Sequence, residues 1–327
     1  MTLPSHSESP VTQELRSLSG LRILVTGADG MLGRAFREAV APLGETVTMH
    51  ALAHAALDVT DRDAVLAYAR YRPDVILHCG GLALADVCER DPARARAVHV
   101  GGTRNVAELA RACGARVVYP QSVFIFDGRE IPVTESTVPA PAIVYGTVKL
   151  EAERHLLAET EGALSVRMAG FFGGDDKDKN FVGKFVRELD AAVRAGQASI
   201  DVGERIWQPT YTLDLARNTL LLVAHRCSGV YHMGALGEAT FLEVARVCVE
   251  ELRLDDRIAV RPSAPEMFEA AEPARRPFRM VTANERLERE GLLRQRRWDV
   301  ALRDYLARPW FDRFRAPLAA APRSARG

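Results

Sequence analysis

Tyr145 and Lys149 stand four residues apart, so a helix through this stretch places a phenol and an ammonium on one face. An ammonium beside a phenol favours the phenolate and lowers its pKa, which equips the tyrosine for proton exchange near neutral pH. The chain contains four lysines, Lys149, Lys177, Lys179 and Lys184, and seven tyrosines, so this spacing is an uncommon coincidence. Upstream, Ser122 follows the run Arg116–Tyr119, at the end of a strand, where a hydroxyl can donate to an oxygen on which negative charge develops. Alone, a serine after a strand is most often a turn or cap residue. Its place ahead of Tyr145 and Lys149 makes the three together the expected catalytic group, with proton transfer to or from a carbonyl as its chemistry.

These groups need a second reactant, and the first glycine cluster indicates what it is. Gly27-Ala28-Asp29-Gly30-Met31-Leu32-Gly33 joins a short apolar run to a stretch of helical periodicity from Met31 to about Val40. Glycines at such a junction permit a tight turn and close approach to a pyrophosphate, whose charge meets the free N–H groups at the helix start. An acid about twenty residues further on would accept from the ribose 2′-hydroxyl of NAD. The region Val47–Ala51 holds none, and Arg34 is positioned to meet a 2′-phosphate. The expected cofactor is NADP(H), with NAD(H) as a second candidate. Asp58 either accepts from the adenine amino group or prepares a helix cap at Thr60.

Strands are expected near Leu21–Gly27, Thr46–Met49, Val75–Cys79, Arg116–Tyr119, Leu164–Met168 and Val230–Met233. Helices are expected over Met31–Val40, Asp61–Tyr71 and Thr103–Cys113, with a long one starting near Tyr145. Strands alternating with helices, several continuously apolar, specify an α/β fold: a Rossmann doubly wound parallel sheet covered on both faces. Residues 21–170 form the NADP-binding part. Residues 171–315, where the alternation breaks, form a smaller substrate-binding α/β subdomain interleaved with the last sheet strand. Residues 1–20 and 316–327 are expected to be a disordered leader and a flexible tail.

The 43 basic and 43 acidic residues cancel, which argues against a nucleic-acid partner or an anionic membrane surface. Five cysteines without paired spacing suit a reduced, cytoplasmic protein, and no metal site is expected. No run of eighteen apolar residues occurs.

The segments RILVTGADGMLGRAF, LDVTDRDAV, RPDVILHC, GARVVYPQSVFIFDG, VYGTVKLEAE, KNFV, PTYTLDLA and ARRPFRMVTANERLEREGL together resemble the dTDP-4-dehydrorhamnose reductase family of extended short-chain dehydrogenases, over about Arg22 to Leu306. The resemblance implies reduction of the 4-keto group of a nucleotide-activated 6-deoxysugar, with hydride from NADPH and a proton from Tyr145. Ser122 falls where the family has its catalytic Thr or Ser. The cofactor lining it implies comprises Gly27, Asp29, Gly30, Met31, Leu32, Gly33 and Arg34. To these it adds Asp58, Val59, Cys79, Gly80 and Gly81, with Tyr145 and Lys149. The implied substrate lining comprises Val123, Phe124, Asn180, Phe181, Arg205, Trp207 and Gln208. A nucleotide sugar is the implied partner, and a homodimer is compatible with it.

The chain departs from the family's S-T-D-Y-V-F-D-G at Gln121–Gly128, losing an acid and a tyrosine hydroxyl, and it carries His99 where the family has Asn. Two other functions therefore stand beside the reductase. One is a partner-binding role like that of the methionine adenosyltransferase beta subunit. The other is a nucleotide-sugar epimerase or dehydratase, which the missing acid after the second strand disfavours.

Overall fold

A computed structural model describes residues 10–263 and 273–315. Continuously apolar strands can be satisfied only when both faces are covered, and six of them assemble into one parallel sheet. They are β1 (Arg22–Thr26), β2 (Thr48–Leu52), β3 (Val75–His78), β4 (Arg116–Ser122), β5 (Leu164–Met168) and the edge strand Gly229–Met233. From the Gly229–Met233 edge the order runs β5, β4, β3, β1, β2. Chain order reverses at β1, which pairs with β2 on one side and β3 on the other, Val25 lying level with Ala51 and Leu77. A crevice opens above the carboxyl ends of strands at such a switch point.

Side chains alternate across the pleat and divide the core. Ile23, Val25, Val75, Leu77 and Val118 face a layer formed by α2 (Met31–Val40) and a later helix, Thr212–Ala224. Leu24, Ile76, Val117 and Tyr119 face α3 (Arg62–Leu66), α6 (Gly102–Cys113) and α7 (Val144–Glu159). Between β3 and α6 lie α4 (Ala85–Arg90), α5 (Pro92–Arg96) and a π-helical turn over Ala97–Gly101. Beyond β5 the chain forms α8 (Phe181–Arg194) and three two-stranded ribbons, pairing Phe171–Phe172 with Thr210–Tyr211, Ile206–Trp207 with Ala239–Thr240, and Ser199–Val202 with Ala259–Pro262. No helix among the described residues is long and apolar enough to cross a membrane.

Four sequence expectations need correction. The leader is not wholly disordered: Pro10–Leu15 is helical, here α1, and it leads into a single 3-10 turn at Arg16–Leu18. Leu15 and Leu18 are buried in the α2 layer, which supplies the apolar partner a six-residue helix cannot provide itself. Residues 1–9 and the tail at 316–327 lie outside the described residues. Thr60 does not cap the following helix; Asp61 does, accepting from the Ala64 N–H at 3.0 Å. That helix is α-helical only to Leu66 and continues as a 3-10 turn to Tyr71. Finally, β2 runs to Leu52 rather than ending at Met49, and β4 to Ser122 rather than Tyr119.

Leu18 is fully buried, so Leu18→Ala is expected to cost about 2–5 kcal/mol of unfolding free energy. Urea denaturation checks this, and an unchanged midpoint would return the segment to a passive leader.

Candidate active site

A cleft of about 1240 Å³ lies over the carboxyl ends of β1, β3 and β4, larger than the ~300–1,000 Å³ of single small-molecule sites. Its floor at one end is the glycine turn. Gly27 adopts φ +63°, and a Cβ there would fall 2.8 Å from the Cys79 carbonyl carbon, so the turn nests directly against the end of β3. Gly30 is the N-cap of α2 and brings no side chain to its first N–H groups. A helix start left this way is suited to an anion. Gly27, Asp29, Gly30, Met31, Leu32, Gly33, Asp58, Val59, Cys79, Gly80 and Gly81 all line this end, as expected. The cradle fits a dinucleotide pyrophosphate.

The reaction centre forms where α7 docks on the end of β4. Gly146 makes this approach possible, because a Cβ there would lie 2.0 Å from the Phe124 carbonyl oxygen. The Lys149 ammonium donates to the Pro120 carbonyl at 2.5 Å and lies 3.9 Å from the Tyr119 ring centroid. The Gln121 amide donates to the Lys149 carbonyl at 2.9 Å. From α4, Glu89 accepts the Val144 N–H at 2.6 Å, a carboxylate supplied to the start of α7 by another helix. Buried Glu153 ties the same helix to β5, accepting from Ser165 at 2.7 Å and from Arg167 at 2.6 and 3.1 Å.

Held this way, the Tyr145 phenol lies beside the Ser122 hydroxyl, which accepts from the Phe124 N–H at 3.2 Å. Burial pushes the Tyr145 pKa up to about 12; Cys88 raises it further and the nearby Ser122 hydroxyl opposes the rise. Burial also pulls Lys149 down to about 7. The expectation of a phenolate favoured by the ammonium is therefore reversed. The ammonium is turned to the Pro120 carbonyl, and burial keeps the phenol protonated, the state a proton donor requires.

His99 packs edge-on to Tyr145, ring centroids 5.5 Å apart, with Nε2 3.2 Å from the Leu82 carbonyl. Burial drives its pKa down to about 3, with nearby Lys149 acting in the same direction, so it is a neutral wall of the cleft.

Of the expected substrate residues, Val123, Phe124, Asn180, Phe181, Arg205 and Trp207 line the same cleft. Phe181 stacks on Phe241 at 4.4 Å, and Trp207 meets both rings edge-on. Gln208 does not line it: this buried amide donates to the Ala235 and Thr282 carbonyls and accepts the Thr282 N–H, a fully used structural link. Arg34 is misplaced as well. Its guanidinium bonds Asp176 at 2.7 Å and borders a separate cavity of about 170 Å³. Asp58 accepts the Thr60 N–H and hydroxyl at 2.9 and 2.8 Å, which hold its carboxyl below the usual range.

Sequence reasoning missed Lys177, Lys179 and Lys184, which line the cleft along with Lys149. The signal was available: all four lysines of a chain otherwise basic through arginine face one cavity. Also missed were Phe241, Arg276, His54 and Arg94.

The sequence pattern of the family described as RmlD substrate binding domain matches residues 21–310. The chain is 33% identical over 291 residues to dTDP-4-dehydrorhamnose reductase of Mycolicibacterium smegmatis, covering 88% of this chain and 85% of that one. It is 30% identical over 310 residues to methionine adenosyltransferase 2 subunit beta of Xenopus tropicalis, covering 90% of each. Its fold matches the crystal structure of dTDP-4-dehydrorhamnose reductase from Bacillus anthracis in complex with NADP, with a TM-score of 0.79 and 26% identity, covering 88% of this chain and 98% of that one.

Lys149 also sets a pH dependence of stability. Unfolded, it keeps its proton to about 10.5; folded, it releases it near 7. Between those values the unfolded state binds more protons, so stability rises with pH, by at most roughly 1.4 kcal/mol per unit. Below about 7 the full penalty for burying the charge is present. Wild-type unfolding free energy is expected to climb relative to Lys149→Met from pH 7 to pH 10 in chemical denaturation, and a constant gap would contradict the buried ammonium.

Proposed function

Because the chain belongs to the RmlD substrate binding domain family, we propose that it is an NADPH-dependent reductase of the 4-keto group of a nucleotide-activated 6-deoxysugar, with dTDP as the nucleotide. The observation that carries this reading is that Ser122, Tyr145 and Lys149 line one cleft with the glycine turn, the phenol kept protonated by burial. NADPH supplies a hydride from its reduced nicotinamide when bound. The chain does the rest.

Ser122 and Tyr145 both hold the keto oxygen, and negative charge develops there as the carbonyl carbon accepts the hydride pair. Tyr145 gives its phenolic proton to that oxygen, so one carbonyl becomes one alcohol with one hydride and one proton consumed. Lys149, one helical turn beyond Tyr145 and bonded to the Pro120 carbonyl, supplies positive charge to the same low-dielectric pocket and so stabilises the charge left on the phenol. Gly27–Gly33 and the start of α2 meet the pyrophosphate of the dinucleotide. Elsewhere in the cleft, Lys179 and Lys184 supply the charge a sugar-bound diphosphate requires, along with the aromatic group of Phe181, Trp207 and Phe241.

The test is to follow reduced-nicotinamide absorbance with NADPH and dTDP-4-dehydro-6-deoxyhexoses. Tyr145→Phe is expected to lower kcat by about 10²–10⁴-fold with NADPH affinity retained, and Ser122→Ala by about 10²–10³-fold. Undiminished turnover in Tyr145→Phe would remove the proton donor. NADPH binding without turnover on any keto-sugar would instead favour a partner-binding role like that of the methionine adenosyltransferase relative.

A further inference from the structure

With Arg34 committed to Asp176, the adenosine end of the cleft needs another group if it is to hold a 2′-phosphate. β2 ends at Leu52, level with Thr26, the residue before the glycine turn. The next side chain that can donate a hydrogen bond is His54, exposed and on the cleft wall. It follows Gly33 by about twenty residues, the interval at which dinucleotide folds distinguish the 2′-hydroxyl from the 2′-phosphate. A carboxylate there accepts from the hydroxyl and repels the phosphate; a cationic or N–H donor does the reverse. No carboxylate occurs between Glu45 and Asp58.

Arg94 lines the same cleft. α5 carries it, and the Asp91 side chain caps that helix by accepting the Arg94 backbone N–H at 3.0 Å. Neighbouring Arg96 pairs with Glu151, but among the described residues the Arg94 guanidinium makes no ion pair or side-chain hydrogen bond. Both Arg94 and His54 lie close enough to Asp58 to act on its charge. Asp58 itself is turned to Thr60 by two hydrogen bonds. Two donors without internal partners therefore flank one carboxylate that is already engaged, at the end of the cleft farthest along β2 from the reaction centre.

We propose that His54 and Arg94 hold the 2′-phosphate of NADPH and set the preference for it over NADH, an assignment that rests on the dinucleotide reading above. The guanidinium supplies a charge-assisted, bidentate contact, and the imidazole donates an N–H in either charge state. Arg34 takes no part.

Equilibrium binding tests this without turnover, using nicotinamide fluorescence for NADPH and NADH, and competition by 2′,5′-ADP and 5′-AMP, which differ only in the 2′-phosphate. Both side chains are exposed, so their removal leaves the core intact. His54→Ala/Arg94→Ala is expected to weaken NADPH and 2′,5′-ADP at least about tenfold, the scale of a lost charge-assisted contact. NADH and 5′-AMP should hold their affinity, and Arg34→Ala should leave the NADPH:NADH ratio unchanged. An unchanged ratio in the double variant overturns this assignment alone. Failure of the unaltered protein to bind either dinucleotide overturns it together with the reading beneath it.

Discussion

Docking of α7 against the end of β4 is the contact on which the site depends. Gly146 lets the helix backbone meet the Phe124 carbonyl, and Lys149 and Gln121 then stitch helix and strand together through the Pro120 and Lys149 carbonyls. Each group in this contact lies within a few residues of Tyr145 or Ser122, so the same bonds that close the fold fix the distance between phenol and hydroxyl. Glu89 at the helix start and Glu153 two turns beyond Tyr145 hold the helix against sliding. Side chains that must act within a few tenths of an ångström need such an outer set of bonds.

Burial then sets the proton inventory. Desolvation raises Tyr145 and lowers Lys149, His99 and His78, so the floor of the cleft holds a neutral phenol and two neutral imidazoles. His78 is pinned between Thr26 and Thr103. In this surrounding a single hydrogen bond counts for more than it would in water. Positive charge enters the cleft wall at Lys177, Lys179 and Lys184.

The sheet was legible because its strands are uniformly apolar and its helices periodic; β5 and α2 fall where the pattern puts them. Tyr145, Ser122 and the glycine turn were legible because each requires a particular residue type at a fixed interval. What escaped depended on partners distant in sequence. Arg34 follows the glycine turn, but Asp176, 142 residues away, decides where its guanidinium points. Gln208 adjoins Trp207 of the cleft, yet Ala235 and Thr282 consume its amide. Leu15 and Leu18 look like an unstructured leader until the α2 layer gives them a surface to cover. The Tyr145 pKa was misjudged because spacing reports that an ammonium is near, not which way it faces.

The most direct test is a crystal structure of the NADPH complex. The account predicts a nicotinamide ring lying against Gly80, Gly81 and His99, with the Tyr145 and Ser122 oxygens converging on the space above its hydride-bearing carbon. A ring bound elsewhere, or the two oxygens turned apart with the dinucleotide in place, would contradict it.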